Sequence, residues 1–157
     1  MIGASAGGLE MFQQFFAQMP PDTGMAFVLI QHLDPNHETL IPELLTKHTS
    51  MPVQRVLQPT PAEPNHVYVI PANALLTMHR GTLQVSRPAA GVTDRMPIDF
   101  FLRSVAPDQR ENLIAILLSG IGTDGTLGMR AVKEHGGITL AQSPETAKYD
   151  SMPRSFR

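Results

Sequence analysis

Three segments of this chain carry the residue types that hydrolytic chemistry needs. The first is Ile2-Gly3-Ala4-Ser5-Ala6-Gly7-Gly8, where a short apolar start runs into a glycine-flanked turn. Glycines on both sides let the backbone bend tightly and leave the serine hydroxyl exposed. Leu9, Phe12, Phe15, Phe16 and Met19 follow at helical spacing, so the layout reads strand, sharp turn, helix. Ser5 then sits near a helix N-terminus, where free N–H groups and the helix dipole favour developing negative charge. The second segment, Gln31-His32-Leu33-Asp34-Pro35, directly follows the apolar run Met25 to Ile30. The third, Ser119-Gly120-Ile121-Gly122-Thr123-Asp124-Gly125, directly follows the apolar run Leu113 to Leu118. If those strands are neighbours, Ser5, His32 and Asp124 meet in one crevice. Nucleophile, general base and a carboxylate that orients the base are the parts of a hydrolytic triad.

Each segment also has another reading. Ser5 alone is equally a helix N-cap or an anion-binding turn. His32, Asp34 and His37 form half of a metal site, but no second cluster of histidine or acid ligands accompanies them. Gly120, Gly122 and Gly125 spell Gly-x-Gly-x-x-Gly, with Glu145 twenty residues beyond, which is the form of a dinucleotide fingerprint. Asp124 argues against that reading, because a carboxylate in such a loop repels phosphate, whereas a triad needs one there.

The rest of the chain supplies the elements that must position these residues. Met25–Ile30 and Leu113–Leu118 read as strands buried on both faces. Val53–Leu57, Val67–Ile70 and Ile138–Ala141 read as shorter strands, and Leu75–Val85 as a hairpin around Arg80-Gly81. Helical spacing is expected over Thr39–His48, Pro97–Val105 and Thr126–His135, with a short helix at Pro144–Tyr149. Strands alternating with helices imply an α/β, doubly wound, mostly parallel sheet with helices on both faces, into which the hairpin is inserted. In such sheets ligands bind beyond the carboxyl ends of the strands, near the point where the strand order reverses. All three segments fall at such ends.

Bulk properties narrow the function. A length of 157 residues fits one domain with a sizeable core. A net charge of −2 and no basic block argue against nucleic acid as a partner. The chain has no cysteine, which removes disulfides and thiolate metal sites and fits a cytoplasmic protein. No apolar run is long enough for a membrane helix, and no signal peptide is expected. The prolines and glycines are scattered, which implies many turns rather than a disordered tract.

Taken together, Ile2-Gly3-Ala4-Ser5-Ala6-Gly7-Gly8, Gln31-His32, Leu118-Ser119-Gly120-Ile121-Gly122-Thr123-Asp124-Gly125 and Met152-Pro153-Arg154 resemble the chemotaxis protein-glutamate methylesterases, the CheB-type catalytic domain. Singly these motifs are weak, but their order and intervals are specific, and the resemblance runs through nearly the whole chain. It implies a serine hydrolase that demethylates glutamate methyl esters on chemoreceptor helices, and deamidation of certain receptor glutamines. It also implies Ser5 as nucleophile, His32 as base, Asp124 as orienting acid, and backbone N–H groups near Ala6 and Ile121 as oxyanion donors. No metal or organic cofactor is implied. The order Ser, His, Asp separates the chain from the α/β-hydrolases, which place the acid before the histidine.

Gln31-His32-Leu33-Asp34-Pro35, Glu63 to Pro71 and Pro97-Ile98-Asp99-Phe100-Phe101 further resemble CheB/CheR methylesterase–methyltransferase fusions, often joined to sensor modules. Two positions depart from stand-alone members: Leu75 replaces a histidine common there, and Ala6 stands where threonine is frequent. These departures keep open a second reading, a regulatory or binding module with low turnover. A nucleotide-binding domain using Gly120–Gly125 is the third. Residues 1–157 are expected to be the catalytic domain, clipped at both ends.

Overall fold

A computed structural model describes residues 1–34, 36, 38–91 and 95–156. Strands β1 (Ile2–Ala4), β2 (Phe27–Gln31), β3 (Val53–Arg55), β5 (Val67–Val69), β8 (Ile114–Leu117) and β9 (Ile138–Ala141) form one sheet in the order β3-β5-β2-β1-β8-β9. Every pairing in it is parallel. From β1 the chain passes to β2, then to the edge strand β3 and back to β5 between them, before it crosses to β8 on the other side of β1. The strand order therefore reverses at β1, and the β1 and β8 loops flank that reversal.

Alternate residues of the central strands feed two separate cores, as strand geometry requires. Phe27 and Leu29 of β2 join Ile2, Val67 and Val69 under α1 (Gly8–Gln18) and α2 (Ile41–Leu45), which supply Phe12, Phe16, Ile41 and Leu45. Val28 and Ile30 point the other way. They join Ala115 and Leu117 under α3 (Pro97–Gln109) and α4 (Thr126–Glu134). Both faces of the sheet are thus covered, which is why β2 and β8 read as unbroken apolar runs.

The inserted hairpin consists of β6 (Leu75–His79) and β7 (Thr82–Ser86), paired antiparallel from Leu75↔Ser86 to His79↔Thr82. Arg80 and Gly81 both have positive φ, as the tight hairpin turn demands. A two-residue strand β4 (Thr60–Pro61), absent from the sequence reading, adds a third member to this small sheet. The hairpin is tied to α3: Asp108 accepts the Gly81 N–H at 3.1 Å and also the Arg80 N–H, and Ser104 Oγ accepts the Met78 N–H at 3.1 Å.

Several boundaries differ from the sequence reading. The expected helix over Thr39–His48 shrinks to Ile41–Leu45, starting where Pro42 can occupy the first turn without losing a bond. The α3 helix runs past Val105 to Gln109 despite Pro107, held there by the Asp108 contacts. No helix forms over Pro144–Tyr149. The backbone N–H of Tyr149 instead donates to Ser119 Oγ at 3.0 Å, and its carbonyl accepts the Gly120 N–H at 2.9 Å. Those long-range bonds take the groups a helix would use. The helix lies one step later, at α5 (Ser151–Ser155), and carries Met152-Pro153-Arg154 itself.

Candidate active site

The turn after β1 is pinned on both sides. The Ser5 N–H donates to Ser119 O at 3.1 Å, and Ser5 O accepts the Gly8 N–H at 2.9 Å and Gln31 Nε2 at 3.2 Å. The cap of α1 is Gly7, at φ 77°, where a side chain would be strained. Ser5 is therefore not the N-cap of α1: its carbonyl, not its hydroxyl, meets the helix start. Among the described residues no side chain caps α1, so the serine hydroxyl is not spent on helix capping.

His32 follows β2 by one residue, and its N–H donates to Ala4 O at 3.4 Å, beside the Ser5 turn. Its Nε2 lies 2.6 Å from Asp124 Oδ2. With Asp124 ionised, Nε2 carries the proton and Nδ1 keeps the lone pair. The imidazole is 31% exposed, whereas the Asp124 side chain is 1% exposed. Burial of a carboxylate requires donors, and Asp124 has them: Ile98 N–H to Oδ2 at 3.0 Å and Asp99 N–H to Oδ1 at 2.8 Å. Both donors belong to the first turn of α3, so the α3 N-terminus and the imidazole share one carboxylate.

The structure thus brings His32 and Asp124 into direct contact and places the Ser5 turn on the strand between theirs. Among the described residues Ser5 Oγ makes no hydrogen bond to His32. In unliganded enzymes that contact is often long and tightens with substrate. The N–H groups of Ala6 and Ile121 have no acceptor among the described residues. His37 and Pro35 lie outside the described residues, so the His32, Asp34, His37 arrangement is not seen.

The Gly120–Gly125 loop turns its carboxylate inward rather than toward bound phosphate. The start of α4 is already occupied by an anion, since Asp99 Oδ1 accepts the Gly128 N–H at 2.6 Å. A pyrophosphate would need that same place.

Three further residues hold the site, and the sequence reading assigned none of them a role. Ser119 is fully buried: its Oγ donates to Ala6 O at 3.0 Å, and its N–H donates to Gln142 Oε1 at 2.8 Å. Gln31 braces the Ser5 carbonyl, and Asp99 braces α4. All three stand inside the motifs quoted for the family resemblance, which was the available signal. Met152 has a structural part as well. A Cβ on Gly120 would meet its Cε at 1.9 Å and Ser5 Cβ at 2.9 Å.

A cavity of about 500 Å³ opens at the opposite edge of the sheet, lined by Met1, Phe27 and Ile114. It lies at the amino ends of the strands and takes no part in the site.

Burial raises the Asp99 carboxyl above its ordinary pKa, and the Asp124 charge adds to this; the Gly128 and Gly125 N–H groups and Arg103 oppose it. Such a group binds its proton more tightly folded than unfolded, so raising the pH through that interval weakens the fold. Asparagine has no proton to lose. Urea midpoints of Asp99→Asn should therefore exceed those of the parent near pH 7, and the gap should close below about pH 4. A gap that widens on acidification would reverse the sign of the effect.

A family model described as CheB methylesterase matches residues 1–157. The chain belongs to the CheB methylesterase family. Its fold matches the crystal structure of the Thermotoga maritima CheB methylesterase catalytic domain with a TM-score of 0.87 and 26% identity, covering 99% of this chain and 84% of that one. A protein-glutamate methylesterase/protein-glutamine glutaminase 3 of Burkholderia orbicola is 34% identical over 155 residues, which is 98% of this chain and 46% of that protein. This CheB-family chain thus spans about half the length of that relative. An uncharacterised 104.1 kDa protein of Rhodobacter capsulatus is 38% identical over 112 residues, 71% of this chain and 12% of its own length. Among the described residues no helix is long and apolar enough to cross a membrane.

Proposed function

We propose that this domain is a serine carboxylic ester hydrolase that demethylates glutamate methyl esters on chemoreceptor helices in the cytoplasm. The observation that carries this reading is the 2.6 Å His32–Asp124 contact on loops flanking the Ser5 turn. His32 Nδ1 takes the Ser5 proton as Oγ attacks the ester carbonyl. Methanol leaves, and an acyl-enzyme remains on Ser5. Water activated by His32 then releases the glutamate carboxylate. The free N–H groups of Ala6 and Ile121 are suited to the oxyanion, and such a donor contributes about 2.7–4 kcal/mol where it has been removed from a protease. Glutamine deamidation uses the same steps with ammonia as leaving group. No step needs a metal or cofactor.

The Rhodobacter match occupies 12% of a 104.1 kDa protein, so a segment of this kind lies within a much longer chain there, which is compatible with a fused domain here. The test is methanol release from a methyl-esterified receptor fragment. Turnover is expected, and it should be lost in His32→Ala. No methanol, with Ser5 still labelled by a serine-directed phosphonate, would leave the triad standing and remove the proposed substrate.

A further inference from the structure

The helices α3 and α4 start without caps of their own. The N-cap positions are Met96 and Gly125, and neither supplies a side-chain bond. Each start is served instead by the other helix's segment. Asp124, in the loop entering α4, accepts the Ile98 and Asp99 N–H groups of α3. Asp99, in the first turn of α3, accepts the Gly128 N–H of α4 at 2.6 Å.

These contacts close a ring. Asp124 and Gly128 are four residues apart on one rigid segment, so the chain itself sets the spacing between the carboxylate and the N–H. Asp99 contributes to both contacts, its N–H binding Asp124 and its carboxylate binding Gly128. The helices also touch at this point, since a Cβ on Gly128 would lie 2.5 Å from Leu102 Cβ and 3.2 Å from Asp99 Cα. If α4 slides or rolls on α3, Asp124 must give up either α3 or His32. Asp99 lies within the protein, 5% exposed, with Asp124 and Arg103 as the charged groups acting on it.

We propose that Asp99 is a positioning residue for the His32–Asp124 pair, locking the first turn of α4 to that of α3 so that the Asp124 carboxylate keeps one orientation toward the imidazole. The inference rests on the triad reading above, in which that orientation sets the tautomer of the base. Displacing a reacting group by about 1 Å can lower a rate about 100-fold.

The rate at which a small serine-directed phosphonate labels Ser5 is the readout, because it needs no receptor. Asp99→Ala should slow labelling by at least about tenfold, with the half-saturating phosphonate concentration within about twofold of the parent. Asp99→Asn should stay near the parental rate, since its amide oxygen still accepts from Gly128. In an Asp124→Asn background, Asp99→Ala should add almost nothing, because a residue acting through Asp124 has nothing left to position. A parental rate in Asp99→Ala, or a loss that multiplies in full with Asp124→Asn, would overturn the inference. A parent protein that is never labelled would instead remove the hydrolase reading. Amide exchange in the unmodified protein then still decides the Asp99 contact, as it does if Asp99→Ala fails to fold. Gly128 occupies a helix position whose N–H has no partner within the helix. Protection of that amide supports the lock, and free exchange overturns it.

Discussion

Ser5→Ala is expected to lower ester turnover by about 10³-fold or more, and His32→Ala by a similar factor. Asp124→Asn should fall in the same range for a reason visible in its bonds. Its carboxylate accepts three donors: His32 Nε2–H and Ile98 N–H on Oδ2, and Asp99 N–H on Oδ1. An amide offers one oxygen. With that oxygen toward His32, its NH₂ confronts the Asp99 N–H. With the NH₂ toward His32, the imidazole must expose a lone pair there and lose it from Nδ1, where the proposed base needs it. Single-turnover rates should show that pairs of these substitutions lose little more than one alone, since residues acting as a unit are non-additive. Losses that multiply in full would sink the triad. The α3 cap also depends on Asp124, so circular dichroism should accompany the kinetics.

Phe16→Ala has the largest expected effect on stability. Phe16 is 1% exposed and meets the Phe27 and Phe15 rings edge-on, at 5.3 and 5.2 Å between centroids. It fixes α1 on the sheet through the strand that leads to His32. Truncating a buried phenylalanine costs about 3–5 kcal/mol, set against a whole-domain stability of about 5–15 kcal/mol. The urea midpoint should drop by the corresponding amount with the slope unchanged. Because α1 begins just after the Ser5 turn, labelling of Ser5 should also slow while the variant remains folded. A loss below about 1 kcal/mol would mean that α1 is not anchored by this ring.

What the chain reveals without coordinates is the part governed by local chemistry. Unbroken apolar runs marked the central strands, and 3.6-residue apolar spacing marked most helices. The Arg80-Gly81 pair marked the hairpin, since only certain residues accept its positive φ. Alternation of strand and helix placed the Ser5, His32 and Asp124 loops at carboxyl ends. None of this depended on knowing which strands are neighbours.

Contacts between distant segments settled the remainder. Strand adjacency around β1 is a tertiary outcome, and it alone brings residues 32 and 124 within a hydrogen bond. Pro144–Tyr149 has a plausible helical composition, but Ser119 Oγ and the Gly120 N–H bind Tyr149's backbone and hold the segment irregular. The two-residue strand β4 exists only because β7 presents a free edge to it. Nothing in the sequence marks the carboxylates of Asp99 and Asp124 as buried. Both are buried because each finds the exposed N–H groups of a helix whose start lies about 25 residues away in the chain, and no local pattern records that exchange.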